Sequence, residues 1–393
     1  MGISMSLRVP AERASCQLLR AVACRSTGAE SHRLRRLAQE IRDWDALLDL
    51  AEEHRVSPMV YTRLGDLGSA VPTVSQERLR AAYDRNAFHN LANAAELISV
   101  LKAFARENIP AMPFKGVVLG ASVYRSLTTR PAGDLDLLVE YKDTPQAAAV
   151  LLERGYEFYP QTEMRPDVTS PPPGRCGEYH LERRADGMIV ELRWGLGFAE
   201  RHFRRSLGMD WVWPRRRTAL LAGAEVPDMS PEITLLVLCV HGSKHVWERL
   251  IWICDVAQLL DSVPDLDWQE VIREAKRTGL TRTLALGVLL AHRIAGAPVP
   301  PAVMQRFESD APARNLAQYI DDNLFDSPGS KPASRLPYSV QLLGFGDRVR
   351  FFLSLDSLRP SDRDYAAVHL PKLLHPLYYL LRPFRLLLDQ SPK

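Results

Sequence analysis

The sequence predicts an α+β protein in which a small mixed sheet, roughly residues 108–225, lies between N-terminal and C-terminal helical modules. Three observations predict it. Residues 31–107 place apolar side chains at helical spacing, and residues 109–194 switch to an alternating helix and strand grammar. From Ser230 the helical period returns and holds to about Ala295. At 393 residues the chain exceeds one typical domain, so several packed modules are expected. Their expected boundaries are an arm with weak periodicity at 1–30, a helical module at 31–107, the sheet core at 108–225, and a helical module with its tail at 226–393.

Taken in order, Trp44, Leu47, Leu48 and Ala51 share a helix face, and Ser57-Pro58 breaks it. Ser75 can cap a long helix to about Glu107 whose stripe would be Leu91, Ala94, Ile98, Leu101 and Ala105. Ile109 to Phe114 reads as a strand, with Pro110 and Pro113 assigning it to a sheet edge or a strand beginning. Lys115-Gly116 is a turn ahead of a helix through Tyr124. Asp134 to Val139 is a strand, and Thr144, Pro145 and Gly155 bracket a helix. Tyr156 to Tyr159 is a short strand, and the Pro-rich stretch from Arg165 to Gly174 is a loop. Glu178–Arg184 and Met188–Trp194 form a hairpin around Ala185-Asp186-Gly187. Ser230-Pro231-Glu232 starts the C-terminal helices, which Pro298 and Pro300 end. The tail mixes Pro-rich linkers with helical pieces, and helix packing is its ordinary outcome.

Composition narrows the function classes. A net charge of +3 is small for this size and argues against a long nucleic-acid partner. No apolar run reaches 18 residues, so no transmembrane helix is expected, and no signal-peptide core is visible at the N-terminus. The five cysteines form no CxxC pair and no disulfide framework, which fits a reducing cytoplasm.

The most informative stretch is Gly133-Asp134-Leu135-Asp136-Leu137-Leu138-Val139. Side chains alternate along a strand, so Asp134 and Asp136 project together while Leu135, Leu137 and Val139 enter a core. Carboxylates on a buried strand call for something positive, and a divalent metal is the usual occupant. Glu191 and Arg193 share the polar face of the hairpin's second strand and could meet the Asp134/Asp136 face across a sheet. Three carboxylates suit Mg²⁺ (or Mn²⁺), which takes a few carboxylates plus substrate phosphates. Two such ions could activate an attacking oxygen and stabilise a leaving pyrophosphate. Asp134, Asp136 and Glu191 are thus the candidate catalytic and metal-binding residues. The turn at Lys115 and Gly116, opening a helix, could hold triphosphate oxygens.

These residues carry a resemblance. The chain resembles the bacterial uncharacterised nucleotidyltransferase family, within the nucleotidyltransferase (DNA polymerase beta-like) superfamily. The pattern is a Lys-Gly turn (Lys115-Gly116), a downstream Tyr124 and Arg130, the Gly-Asp-x-Asp strand, and an acid-x-His-Trp strand. The last falls on Glu191-Leu192-Arg193-Trp194, with Arg193 where the family pattern carries His. The helix with His241, Lys244 and His245, the block Leu250 to Asp255, and the tail from Leu370 are also similar. The resemblance implies a nucleotidyltransferase core and metal-dependent transfer of an NMP from an NTP, such as ATP, with release of pyrophosphate. The acceptor would be a hydroxyl or phosphate on a small molecule, peptide or protein that the resemblance does not identify. Two rivals stand beside it: a degenerate core that binds a nucleotide or a protein, and a phosphotransferase such as a kinase.

Several residues keep two readings: Glu191 serves the metal site or merely salt-bridges Arg193 or a cross-strand Arg, and Lys115 contacts phosphate or is simply an exposed turn residue. Arg130 contacts the triphosphate or pairs with Asp134 or Asp136. His241 and Lys244 face substrate or belong to a packed helix, and His241 with His245 lacks the third ligand a zinc site needs. Asp255 on its apolar helix caps it or pairs with a basic residue.

Overall fold

The computed structural model describes residues 13–23, 28–158, 177–196, 208–326 and 338–342. It opens with the helices α1 (Arg13–Ala23), α2 (Gly28–Glu40), α3 (Trp44–Glu53), α4 (Ser57–Leu64) and the 34-residue α5 (Thr73–Arg106). The sheet region follows as β1 (Ala111–Pro113), α6 (Gly116–Ser122), β2 (Leu135–Val139), α7 (Thr144–Glu153), β3 (Glu157–Phe158), β4 (Glu178–Arg183) and β5 (Met188–Arg193). A short α8 (Met209–Val212) leads into a hairpin of β6 (Arg216–Leu221) and β7 (Ala224–Met229). The chain continues through α9 (Pro231–Lys244), α10 (Leu250–Ser262), α11 (Trp268–Thr278), α12 (Thr281–Ala295), α13 (Pro301–Glu308), α14 (Ala311–Asn323) and α15 (Tyr338–Gln341). The fold is therefore the expected mixed α+β arrangement.

Local chemistry sets many of these boundaries. Asp43, Asp267 and Asp310 accept hydrogen bonds from the backbone N–H three residues on and so cap α3, α11 and α14. Ser230 caps α9 through the N–H of Ile233, with Pro231 at the first helical position, as the sequence predicts.

The five-stranded sheet has the order β1-β2-β5-β4-β3, and β2 and β5 are its parallel pair. Parallel register sets Leu135 opposite Val190 and Leu137 opposite Leu192, so one face is a continuous apolar layer. That layer packs with Leu97, Val100 and Phe104 of α5, with Ala147 and Leu151 of α7, and with the β6–β7 hairpin. Burial of such a face supplies roughly 25 cal/mol per Å² of apolar area. A second core joins the first helices to the last ones, with Leu18, Leu19 and Leu47 in the same cluster as Leu286, Leu289 and Leu316. The opposite, polar face of the sheet therefore looks at a helical body built from both ends of the chain.

Several sequence-level expectations change. Within the expected loose arm, residues 13–23 form a helix, because Leu18, Leu19 and Val22 find a partner in distant helices that local periodicity does not reveal. The buried stripe of α5 is Asn90, Asn93, Ala94, Leu97, Val100 and Phe104, and Leu91 is exposed. Ser75 lies inside that helix and is buried, so Pro72 precedes its first turn. The hairpin at 216–229 has no counterpart in the sequence reading. The Arg165–Gly174 loop, the C-terminal tail from Leu370, and residues 1–12 and 24–27 of the arm lie outside the described residues. Among the described residues, no helix is long and apolar enough to cross a membrane.

Candidate active site

Register brings the acids together. Asp136 of β2 is the direct partner of Glu191 on β5, and Asp134 sits just before β2 on the same side. One carboxylate oxygen from each of Asp134, Asp136 and Glu191 lies within 4.8 Å of the others. On the neighbouring strand, His180 pairs with Glu191 and Glu178 pairs with Arg193 across the β4–β5 hairpin. The polar face thus carries Asp136, Glu178, His180, Glu191 and Arg193 in adjacent rows.

Two cations are seated on the acids. Lys115 Nζ is 2.9 Å from Asp136 Oδ2, and Arg193 Nε is 3.4 Å from Asp136 Oδ1. Arg193 also forms ion pairs with Glu191 and Glu178. His180 completes the row, with Nε2 3.1 Å from Glu178 Oε1 and Nδ1 3.5 Å from Glu191 Oε1. Burial is the largest influence on Asp136 and raises its carboxyl to about 7; Asp134 and Glu191 add to the rise, against the opposing pull of Lys115 and Arg193. Burial alone would also raise Glu178, but its hydrogen bond from His180 and the charges of Arg193 and Lys244 bring it to about 2. For Glu191 burial is likewise overcome, chiefly by Arg193, and the carboxyl falls below its ordinary range.

A metal ion fits this donor set. Asp136 is 4% exposed, and its Oδ1 accepts no hydrogen bond from any described group. Arg193 Nε, 3.4 Å away, gives this oxygen a charge but no hydrogen bond, and a buried carboxylate in that state is costly unless a further cation joins it. The three convergent carboxylates offer oxygen alone, which suits a hard divalent ion such as Mg²⁺ or Mn²⁺.

The Lys115-Gly116 turn has a different surrounding from a free phosphate loop. Lys115 adopts φ 55° and Gly116 φ 44°. A Cβ on Gly116 would meet the Asp134 carbonyl oxygen at 3.3 Å, so the turn is packed onto the acid strand and needs glycine. Arg130 is buried beside it and forms a two-pronged pair with Asp255 of α10, Nε to Oδ1 at 2.7 Å and Nη2 to Oδ2 at 2.9 Å. Its Nη1 donates to the Gly116 carbonyl at 3.3 Å and to that of Pro131 at 3.1 Å, and the Tyr124 hydroxyl donates to Asp255 at 2.8 Å. Arg130 therefore ties the turn to α10, and its partner is neither Asp134 nor Asp136.

All of the sequence-selected residues line one cleft of about 420 Å³. Its floor is the polar sheet face, Arg55 lies beside Gly133, and His241, Lys244, His245, Arg249 and Trp252 complete the lining. His245 stacks on Trp252 with ring centroids 4.9 Å apart, and His241 meets both rings edge-on. Burial, followed by the charges of Lys244, Lys115 and Arg249, lowers His245 to about 4. Burial also lowers His241, with Lys115 the next cause. Both imidazoles are neutral near pH 7. Lys244 Nζ is 3.9 Å from Glu178 Oε1.

Sequence reasoning missed six contributors, of which Arg55 and Arg249 carry no local signal. Glu178 and His180 lie on the strand that precedes Glu191, and their period-two spacing with the hairpin turn could have placed them opposite Arg193 and Glu191. Asn90 and Asn93 of α5 are buried: Asn90 Nδ2 donates to the carbonyls of Leu127 and Arg130 at 2.6 and 2.7 Å, and Asn93 Nδ2 to Ala132 at 3.1 Å. They fix the segment that delivers Asp134. Two asparagines three apart in an apolar helix stripe were the available signal.

The mixed sheet carries a row of acids that could hold a metal ion. The family model of the uncharacterised nucleotidyltransferases matches residues 40–296, and the chain belongs to that family. No curated protein matches the chain, and no solved structure does.

Proposed function

We propose that the protein is a divalent-metal-dependent nucleotidyltransferase that moves an NMP from an NTP to a hydroxyl or phosphate acceptor and releases pyrophosphate. The observation that carries the reading is the convergence of Asp134, Asp136 and Glu191 within 4.8 Å, with a buried Asp136 oxygen that accepts no hydrogen bond. When bound there, a Mg²⁺ or Mn²⁺ ion would polarise the phosphoryl oxygens and neutralise charge on the leaving pyrophosphate.

The protein's own groups supply the rest. Asp134, Asp136 and Glu191 would hold the ion. Arg55, Arg249 and Lys244 line the same cleft as the acids, and their positive charges suit a polyphosphate. Burial, Arg249 and Arg130 all lower the Arg55 guanidinium's affinity for its proton, and Asp134 opposes them. Such a cluster of cations is relieved by an anion. Lys115 and Gly116 contribute from the floor, with Lys115 free to pass from Asp136 to a phosphate as the ion enters. His241 and Lys244 also line the cleft, beside the flat face of His245 on Trp252 that could take a base. Arg130 acts through the turn it holds. ATP is one candidate donor, and the acceptor is a small molecule, a peptide or a protein. The reading places the protein in the cytoplasm, where NTPs and Mg²⁺ abound.

A second reading has a specific observation behind it. Arg193 occupies Glu191, Glu178 and the edge of Asp136, which is how a core that only binds a nucleotide would silence its acids. A mass-spectrometric screen of acceptors with labelled NTPs and Mg²⁺ separates the two. Pyrophosphate release lost in Asp136→Asn supports transfer; metal-independent NTP binding without turnover supports the binding module; a nucleoside diphosphate product would indicate a kinase.

A further inference from the structure

The acidic centre reaches two cations of its own, and they differ in how firmly they are held. Lys115 meets one carboxylate, Asp136, through a single ammonium on a flexible stem. Arg193 meets three: Nε faces Asp136 Oδ1 at 3.4 Å, and its terminal nitrogens pair with Glu191 and Glu178. Its side chain is 13% exposed, and the strand pairing of Glu178 with Arg193 holds it in place. The guanidinium cannot deprotonate and presents a planar fork that matches carboxylates. Leaving this position would unpair several half-buried acids at once, whereas moving Lys115 frees only one.

The oxygens that Arg193 takes matter. A second ion would have to share Asp136 and Glu191 with the guanidinium that spans them. Asp134 converges with Asp136 beside them, and the pair is open to a cation once Lys115 moves off Asp136. Resting on the metal-site reading above, we infer that Arg193 is a built-in replacement for one metal ion, so that this centre takes a single divalent cation, on the Asp134–Asp136 side. Its role is to position Glu191 and to supply the fixed positive charge that an ion would otherwise bring.

The test counts ions on the full chain. Mn²⁺ alone is titrated, with binding followed by calorimetry and by electron paramagnetic resonance, which reports spin coupling between close Mn²⁺ pairs. The wild type is expected to bind one Mn²⁺ with an uncoupled spectrum, Arg193→Lys to remain at one, and Arg193→His to bind two with a coupled spectrum. Two coupled ions in the wild type would overturn the inference while leaving the metal-site reading intact. One ion in a folded Arg193→His chain would also overturn it. Absence of any Mn²⁺ binding that Asp136→Asn abolishes would remove both the inference and the reading beneath it. The wild-type count decides the matter even if Arg193→His does not fold.

Discussion

Asp136 and Glu191 face each other as register partners on the only parallel strand pair of the described sheet, 55 positions apart in sequence and adjacent in space. A shift of one residue in that pairing would send Glu191 into the apolar layer and Leu192 toward the cleft. The apolar alternation of β2 and β5 therefore sets the chemistry of the opposite face as well as the core.

On the proposed reading the acids are functional rather than stabilising. Asp134→Asn, Asp136→Asn and Glu191→Gln are each expected to lower turnover by about 10³-fold or more, on the scale of lost transition-state charge stabilisation. Melting temperatures should stay near the wild type or rise for Asp136→Asn, since burial works against its charged form. Pyrophosphate release and thermal melting measured on the same samples check this; a folded Asp136→Asn with substantial residual activity would reject the assignment.

The Arg130–Asp255 pair should behave in the opposite way. Both side chains are buried, and Asp255→Ala would leave an uncompensated guanidinium under the turn at Gly116. The expected cost is roughly 3–5 kcal/mol in urea unfolding. Replacing both partners by apolar residues, Arg130→Met with Asp255→Leu, should cost less than the single change. Equal losses for the single and double variants would contradict the argument.

Gly116 gives a sharper backbone test. With φ at 44° and a virtual Cβ 3.3 Å from the Asp134 carbonyl, Gly116→Ala strains the turn and pushes on the acid strand. A loss of about 1–2 kcal/mol in stability is expected, along with weaker metal binding. Unchanged Mn²⁺ affinity in the variant would show that the turn does not support the acids.

Acid sensitivity should come partly from His54, next to the cleft residue Arg55. Its Nδ1 accepts the N–H of Leu250 at 3.0 Å, joining the end of α3 to the start of α10. Burial, only partly offset by Glu53, lowers it from 6.5 to about 4. A histidine depressed in the folded state costs nothing above the unfolded pKa, and stability falls as pH drops from about 6.5 to about 4, where the unfolded chain takes up a proton that the folded chain refuses. The full loss is on the order of 3 kcal/mol. His54→Asn keeps an acceptor without titrating and should flatten this limb in urea unfolding followed from pH 7 to pH 4; parallel curves for variant and wild type would exclude the role.

Arg55 and Arg249 test the basic lining of the cleft. Arg55→Gln and Arg249→Gln should each raise the KM for the NTP about tenfold, in line with a lost charge-assisted contact, with little change in melting. Arg306→Gln, on the exposed surface of α13, serves as the control for a general loss of positive charge. A KM unchanged in the first two variants would place the triphosphate elsewhere in the cleft.

The sequence by itself determined the local units. Two acids at alternate positions, the period of β2 and β5, the Ala185-Asp186-Gly187 turn and the Ser230-Pro231 helix start are all written within a few residues, because pleat, turn and capping chemistry act at short range. Tertiary structure decided which of those units meet. It placed Asp255 rather than Asp134 or Asp136 on Arg130, brought Arg55 from the α3–α4 turn to the cleft, buried Asn90 and Asn93 in place of an apolar stripe, and gave Arg193 three carboxylates. Ion pairs and buried hydrogen bonds between distant segments depend on how elements pack, and no local pattern encodes a partner 125 positions away.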